Sequence, residues 1–263
     1  MKIETLYVYP IKSLQGIKVR QATVLEKGFE HDRRWMLVDE YGVFITQRKH
    51  PVLSKINVAL NINNIVVSCT DTDKISVPLE LQSGELMKVT VWGSTVNAIK
   101  ASDKINNWFS DAIGLKCSLV FMPNDASRLI SNENKANVSF ADGYPYLILG
   151  QSSMNDLNRR MKAPLPIQRF RPNIVFSDGL PYEEDLWGKF TVGEINFLGI
   201  NPCVRCVFTT IDQETGESGK EPLKTLSTYR DYGNGVVFGL NTIAKSYGEI
   251  KVGDTIVIKS VRK

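Results

Sequence analysis

The sequence predicts a mainly β protein of the α+β class, in two parts with a few helices, and three observations carry that expectation. Apolar and polar residues alternate with period two almost throughout Ile3 to Ala101. Turn-forming clusters, Asp39-Glu40-Tyr41-Gly42, Asn63-Asn64 and Gln82-Ser83-Gly84, punctuate the alternation. Helical periodicity surfaces only after that stretch. Successive side chains of a strand point to opposite faces, so alternation marks half-buried strands, and many short strands with little helix between them form a closed or sandwiched β unit.

Taken in order, strands are expected at Ile3 to Val8, Val19 to Leu25, Trp35 to Val38, Val43 to Thr46, Val58 to Ile62, Ile65 to Cys69 and Met87 to Trp92. Ser102 then offers an N-cap for a helix whose Ile105, Trp108, Phe109, Ala112 and Ile113 share a face, and Gly114 closes it. That helix reads as a joint between two domains, 1–115 and 116–263. A strand at Cys117 to Met122 leads into a polar stretch, Asn124 to Lys135, read as a long loop. The run Asp142 to Gly150 feeds a buried strand and then a second helix, in which Met154, Leu157 and Met161 share a face. The remainder returns to strands at Ile174 to Phe176, Lys189 to Val192, Ile195 to Ile200, Val204 to Ile211 and Thr255 to Ile258.

At 263 residues the chain has room for one large or two ordinary cores. A net charge of +4 and a pI near 8.8 are compatible with anionic ligands, but no basic run is long enough to be a nucleic-acid footprint. Glu4, Pro10 and Lys12 interrupt any signal-peptide core, and the apolar runs are too short to span a bilayer. The expectation is therefore a cytoplasmic protein without a membrane segment. The four cysteines, at 69, 117, 203 and 206, are too few for a disulfide scaffold. Cys69 and Cys117 lie in apolar runs and read as small buried hydrophobes.

Chemistry concentrates in Asn201-Pro202-Cys203-Val204-Arg205-Cys206-Val207-Phe208-Thr209-Thr210-Ile211-Asp212. A structural zinc site needs four N or S ligands, and one Cys pair with the unpaired His31 and His50 does not supply them. A thioredoxin-like pair caps a helix, which lowers the first thiol's pKa. The β-branched residues after Cys206 favour a strand instead. What stays open is a thiolate at a strand entrance, with Arg205 close enough to stabilise it. Such a thiolate suits an electron-poor transition metal and equally a persulfide. Against both stands the plain reading of two buried cysteines.

Donors cluster elsewhere on strand ends: Lys12 and Ser13 after the first strand, Arg33 and Arg34 before another, Arg171 and Asn173 around a stiffening proline. Together these are the groups that hold a phosphate and a polar heterocycle; singly, each basic residue is a solvated surface charge. The chain has no G-x-G-x-x-G, Walker A or G-x-S-x-G sequence, and its two histidines make a hydrolase triad a poor fit.

The ordered set Tyr-Pro-Ile-Lys-Ser at 9 to 13, Asp-Arg-Arg-Trp at 32 to 35, Arg-Pro-Asn at 171 to 173, Cys-Val-Arg-Cys with Thr-Thr-Ile-Asp at 203 to 212, Glu-Pro-Leu-Lys-Thr-Leu at 221 to 226, Phe-Gly-Leu-Asn at 238 to 241 and Ile-Lys-Val-Gly-Asp at 250 to 254 resembles the MOSC family. It resembles in particular the members with an N-terminal β-barrel, among them the mitochondrial amidoxime reducing component and its bacterial relatives. The resemblance implies an N-terminal β-barrel domain, then a MOSC β-barrel domain, and a bound molybdenum cofactor (Mo-molybdopterin) whose metal takes one protein cysteine. By motif position that ligand is Cys206, and Cys203 has no assigned role. The resemblance also puts Lys12, Ser13, Arg33, Tyr144, Arg171, Asn173, Arg205 and Asn241 at the cofactor. Tyr144 and Asn241 depart from the family, which carries a small hydroxyl residue and, in the mitochondrial members, a tyrosine at those places.

The implied activity is reduction of small N-hydroxylated compounds. Some relatives continue into a ferredoxin domain and this chain stops at Lys263, so the electrons are expected from a separate protein such as a ferredoxin-like or flavin reductase. The alternative is a sulfur carrier that uses a Cys206 persulfide in cofactor metabolism.

Overall fold

Lys2–Val8 begins as an alternating strand and ends buried, because it lies inside a sheet. It pairs antiparallel with Ile17–Val19 on one edge and with Ile174–Ser177 on the other. The computed structural model, which describes residues 1–70, 72–130 and 136–262, places it in an eight-stranded sheet. The order across that sheet is Ile256–Ile258, Lys189–Val192, Ile195–Val204, Val237–Ala244, Tyr146–Gly150, Ile174–Ser177, Lys2–Val8 and Ile17–Val19. Tyr146–Gly150 is buried at every position and runs parallel to Ile174–Ser177; the helix Gln151–Arg160 lies in the crossover that a parallel pair requires. Gln21–Leu25 pairs with Gly28–Phe29 and with Gly248–Lys251, tying the two ends of the chain together. Ile3, Leu6, Val8, Val24 and Phe29 accordingly share one core with Ile148, Phe197, Leu240 and Ile250.

A second core forms around a four-stranded sheet, Trp35–Val38, Ser118–Phe121, Ser94–Lys100 and Leu86–Val91, and a three-stranded one, Asn57–Leu60, Asn64–Cys69 and Thr72–Pro78. The helix Asp103–Ile113 packs Ile105 and Phe109 into it, starts at Ser102 and ends at a left-handed Gly114, φ 65°. Buried Asn106 donates to Ala101 O and accepts from Leu119 N, both at 2.9 Å, so the helix pins the strand that follows it. Strand pairing therefore crosses residue 115 in both directions: Lys2–Val8 joins the later sheet and Ser118–Phe121 joins the earlier one. The mainly β class with few helices holds.

Several elements differ from the sequence reading. Val204 to Ile211 is not a strand: Ile195–Val204 stops before Cys206, and Val207–Thr210 is a 3-10 turn. The hydroxyls of Thr209 and Thr210 donate to Cys206 O and Val207 O at 3.0 and 2.8 Å, the local bonding by which threonine competes with a sheet ladder. Val43 to Thr46 supplies only isolated bridges, because Asp39 Oδ1 accepts the Val43 N–H into its turn. Thr72–Pro78, Ser94–Lys100, Val237–Ala244 and Gly248–Lys251 are additional strands. Of the stretch read as a long loop, residues 131–135 lie outside the described residues. Among those described, no helix is long and apolar enough to cross a membrane.

Candidate functional site

The segment that follows Lys2–Val8, the end of the 3-10 turn Ile167–Phe170 and the end of Ile195–Val204 line a cavity of about 290 Å³. Lys12, Ser13, Arg33, Tyr144, Arg171, Asn173, Arg205, Cys206 and Asn241 all line it, together with Cys203. The strand that delivers the two thiols is irregular: its register against Val237–Ala244 shifts between Gly199 and Asn201 and again between Pro202 and Val204. Such shifts bend a strand and re-aim its side chains, and here they immediately precede Cys206. Gly199 is required at the first shift, since a Cβ there would lie 2.1 Å from Trp187 O.

Four non-glycine residues on the cavity wall have left-handed backbones: Ser13, Arg33, Trp92 and Arg171, with φ of 67°, 50°, 53° and 54°. Each such residue costs on the order of 1–3 kcal/mol and persists only where its surroundings enforce it. Ser13 O accepts Gln47 Nε2 at 2.7 Å, Arg33 N donates to Tyr9 O at 2.7 Å, and Arg171 N donates to Gln168 O at 3.0 Å.

The cations are held by stacking and by carbonyl oxygens as much as by carboxylates. The buried Tyr9 ring is in contact with two guanidiniums, Arg171 at 4.1 Å and Arg33 at 4.5 Å, while its hydroxyl donates to Pro172 O. Arg33 is paired with the fully buried Asp32 and donates to Asn173 Oδ1 at 3.1 Å. Asn173 in turn accepts Leu147 N and donates to Tyr7 O, which fixes its amide. Burial, then the like charge of Arg33, bring the Arg171 pKa down to about 10. Lys12 is buried and donates to Phe140 O and Asp142 Oδ1; burial lowers its pKa to about 8 against the opposing pull of Asp142. Burial would raise Asp142, but the Lys12 charge and hydrogen bond, with Arg48 and Trp92, outweigh it and hold the carboxyl well below its ordinary range. On the polar side, Asn241 donates to Asn201 Oδ1 at 2.9 Å and Asn201 donates to Tyr144 Oη at 3.3 Å.

Arg205 is close to a thiol, and that thiol is Cys203. Its Nη1 donates to Cys203 Sγ at 2.9 Å and its Nη2 to Phe170 O, and the guanidinium nearest Cys206 Sγ is that of Arg48, with Nη1 at 4.0 Å. Arg48, Trp92 and Asp142 all line the cavity and escaped the sequence reading. Trp92 left a readable sign: it occupies a left-handed position in the turn after Leu86–Val91, where Asn or Gly is the ordinary choice. Arg48 left none. Cys206 is exposed, and among the described residues no group of three or more His, Cys, Asp or Glu could enclose a metal ion.

A thiol and converging cations thus meet in one cavity of a mainly β protein. Residues 1–116 match the MOSC N-terminal beta barrel domain and residues 135–257 the MOSC domain. The chain belongs to the MOSC family. It is 30% identical over 284 residues to mitochondrial amidoxime reducing component 2 of Bos taurus, covering 97% of this chain and 82% of that protein. It is 30% identical over 277 residues to mitochondrial amidoxime-reducing component 1 of Mus musculus, with the same coverage. Identity is also 30% over 280 residues to a molybdenum cofactor sulfurase of Oryza sativa subsp. japonica, but the match spans only 34% of that longer protein.

Proposed function

We propose that the chain is an enzyme that binds molybdenum cofactor in this cavity, with Cys206 as the protein's ligand to the metal. In this reading it reduces N-hydroxylated compounds with electrons from a separate ferredoxin-like or flavin protein. The observation that carries the reading is the convergence of one exposed thiol with Arg33, Arg171, Arg205 and Lys12 in a single cavity. The donor set fits the group. A thiolate is the soft ligand that such a metal takes, guanidiniums suit a phosphate, and the linked amides of Asn241 and Asn201 suit a polar heterocycle.

The cofactor, when bound, supplies the two-electron chemistry of the balanced reaction R–NHOH + 2e⁻ + 2H⁺ → R–NH₂ + H₂O. The chain supplies everything around it. Cys206 anchors the metal end, while Arg33 and Arg171, locked on Tyr9, hold the anionic end. Arg205 fixes Cys203 and Phe170 so that the turn carrying Cys206 keeps its place. Asp142 leaves the cavity less positive than its cations alone would make it, and so keeps Lys12 protonated near neutral pH.

Metal analysis of protein purified from cells that make the cofactor tests this. Stoichiometric molybdenum in the wild type and in Cys203→Ser, lost in Cys206→Ser, is the expected result. Protein without molybdenum but with cyanide-releasable sulfur on Cys206 would overturn it in favour of sulfur carriage.

A further inference from the structure

One wall of the cavity takes no part in holding the cofactor as proposed above. Arg48 follows buried Gln47, which is anchored to Ser13 O and exchanges hydrogen bonds with Gln213. Its guanidinium carbon stands 4.3 Å over the Trp92 ring, and its Nη1 is 4.0 Å from Cys206 Sγ. Among the described residues it forms no ion pair with a carboxylate. Trp92 is itself held in place: its Nε1 donates to Asp142 Oδ1 at 3.2 Å, and the Phe44 ring packs 5.1 Å away. Yet Trp92 is 43% exposed and sits on a left-handed backbone. A bulky residue there strains the turn and returns only part of its hydrophobic gain, so folding alone does not account for it.

We infer that Arg48, backed by Trp92, is the specificity-determining residue of the site: its flat guanidinium stacks the aryl plane of an aryl N-hydroxylated substrate beside the Cys206 sulfur. This rests on the function proposed above. A guanidinium already pinned on an indole offers a flat cationic face and loses little further freedom when a second plane stacks on it. Its charge acts on Asp142, but among the described residues no carboxylate oxygen lies within ion-pairing distance, so N–H groups other than the one directed at Cys206 Sγ remain able to donate to the oxygen of an N–OH group. An alkyl substrate of the same chemistry gains that polar contact but not the stacking. Trp92 acts through Arg48 and is a positioning residue.

The test compares benzamidoxime with acetamidoxime as substrates of the molybdenum-loaded protein, for wild type, Arg48→Lys, Trp92→Phe and Trp92→Leu, with melting midpoints as the folding control. Quenching of tryptophan emission by benzamidoxime gives a second readout that needs no turnover. Wild type should favour the aryl compound, chiefly through KM, by about tenfold, the scale of one aromatic stacking contact. Arg48→Lys keeps the charge but loses the plane, so it should erase that preference. Trp92→Leu should do the same, and Trp92→Phe should keep most of it. Quenching should be strong in wild type and lost in Trp92→Phe. An aryl preference that survives both Arg48→Lys and Trp92→Leu, or quenching that survives in Trp92→Phe, would overturn the inference. A wild type that reduces neither compound refutes the function proposed above instead, and the quenching then decides the stacking site by itself.

Discussion

Replacing Arg171 with methionine should separate what the cavity does from what holds the fold. The guanidinium lies 4.1 Å from the Tyr9 ring and 5.4 Å from the Phe208 ring, and its Nη1 donates to Leu14 O at 2.6 Å. Its pKa, lowered from 12.5 to about 10 by burial and by Arg33, means that the charged form is held there at a cost on the order of 3 kcal/mol. The hydrogen bond to Leu14 O offsets about 1.5–3 kcal/mol of that, and the stacking on Tyr9 roughly another 0.5–2. The contributions nearly cancel. With methionine filling the volume, the cofactor-free protein should therefore change by about 1 kcal/mol or less, a shift of about 2–4 °C in melting midpoint for a chain of this size.

Anion binding should respond quite differently. A charge-assisted contact to a phosphate is worth about 1.5–3 kcal/mol, so Arg171→Met should weaken cofactor retention by about 10- to 150-fold. Calorimetry of the cofactor-free protein and molybdenum occupancy at limiting cofactor measure the two effects separately. Unchanged occupancy would remove Arg171 from the site. A melting midpoint lowered by more than about 6 °C would make it a structural prop and refute the cancellation argued from its contacts.

Glu184, fully buried, accepts Gly150 N and Ser153 Oγ, and burial raises its pKa to about 7. A carboxyl whose pKa is higher in the folded state than its ordinary 4.5 adds stability that is complete below pH 4.5 and lost as pH rises through 7, so the melting midpoint should fall between pH 5 and 8. Glu184→Gln should flatten that decline, and an identical slope in the variant would show that another group sets it. Lys12 titrates in the opposite sense: with its pKa lowered to about 8, its charge is progressively lost as pH rises through that value. Affinity for sulfate, whose charge is constant over this range, should therefore weaken between pH 7 and 9 in the wild type and lose that component in Lys12→Met, a difference that equilibrium titration at several pH values would show or refute.

What was legible in the sequence was local. Ser102 and Gly114 bound a helix because cap and stop act within one turn, and Lys2–Val8 declared itself by alternation. Val204 to Ile211 misled because threonine's β-branching favours a strand while its hydroxyl, given a nearby carbonyl, favours a tight turn; only the packed structure decides. The partner of Arg205 was readable only to within two thiols. Its neighbours in sequence, Cys203 and Cys206, were both within reach, and the strand Ile195–Val204 ends one residue before it, so only the folded turn decides that it meets Cys203. Arg48 was not readable, because it meets Cys206 across 158 residues and nothing in Thr-Gln-Arg-Lys reports that encounter. Asp142 and Lys12 are likewise 130 residues apart, so the lysine looked like a free cation for a ligand when it already has a carboxylate.

The same long-range contacts explain why the cavity lies between two cores and not within one. Lys12, Arg33, Arg48, Arg171 and Arg205 face a common space, and the carboxylates drawn in to pair with them are Asp32 and Asp142. Like charges this close repel one another and are costly to bury, so a single small core could not hold them. Four left-handed residues at roughly 1–3 kcal/mol each add a burden comparable with the whole net stability of an ordinary domain, about 5–15 kcal/mol. Strands exchanged across residue 115 join the halves of the chain that contribute these cations. Four of the seven left-handed non-glycine residues stand on this wall, and His31, Asp178 and Tyr182 lie elsewhere, so the strain is concentrated at the cavity without being confined to it; an anionic ligand, in the function proposed above, would offset the repulsion among the cations.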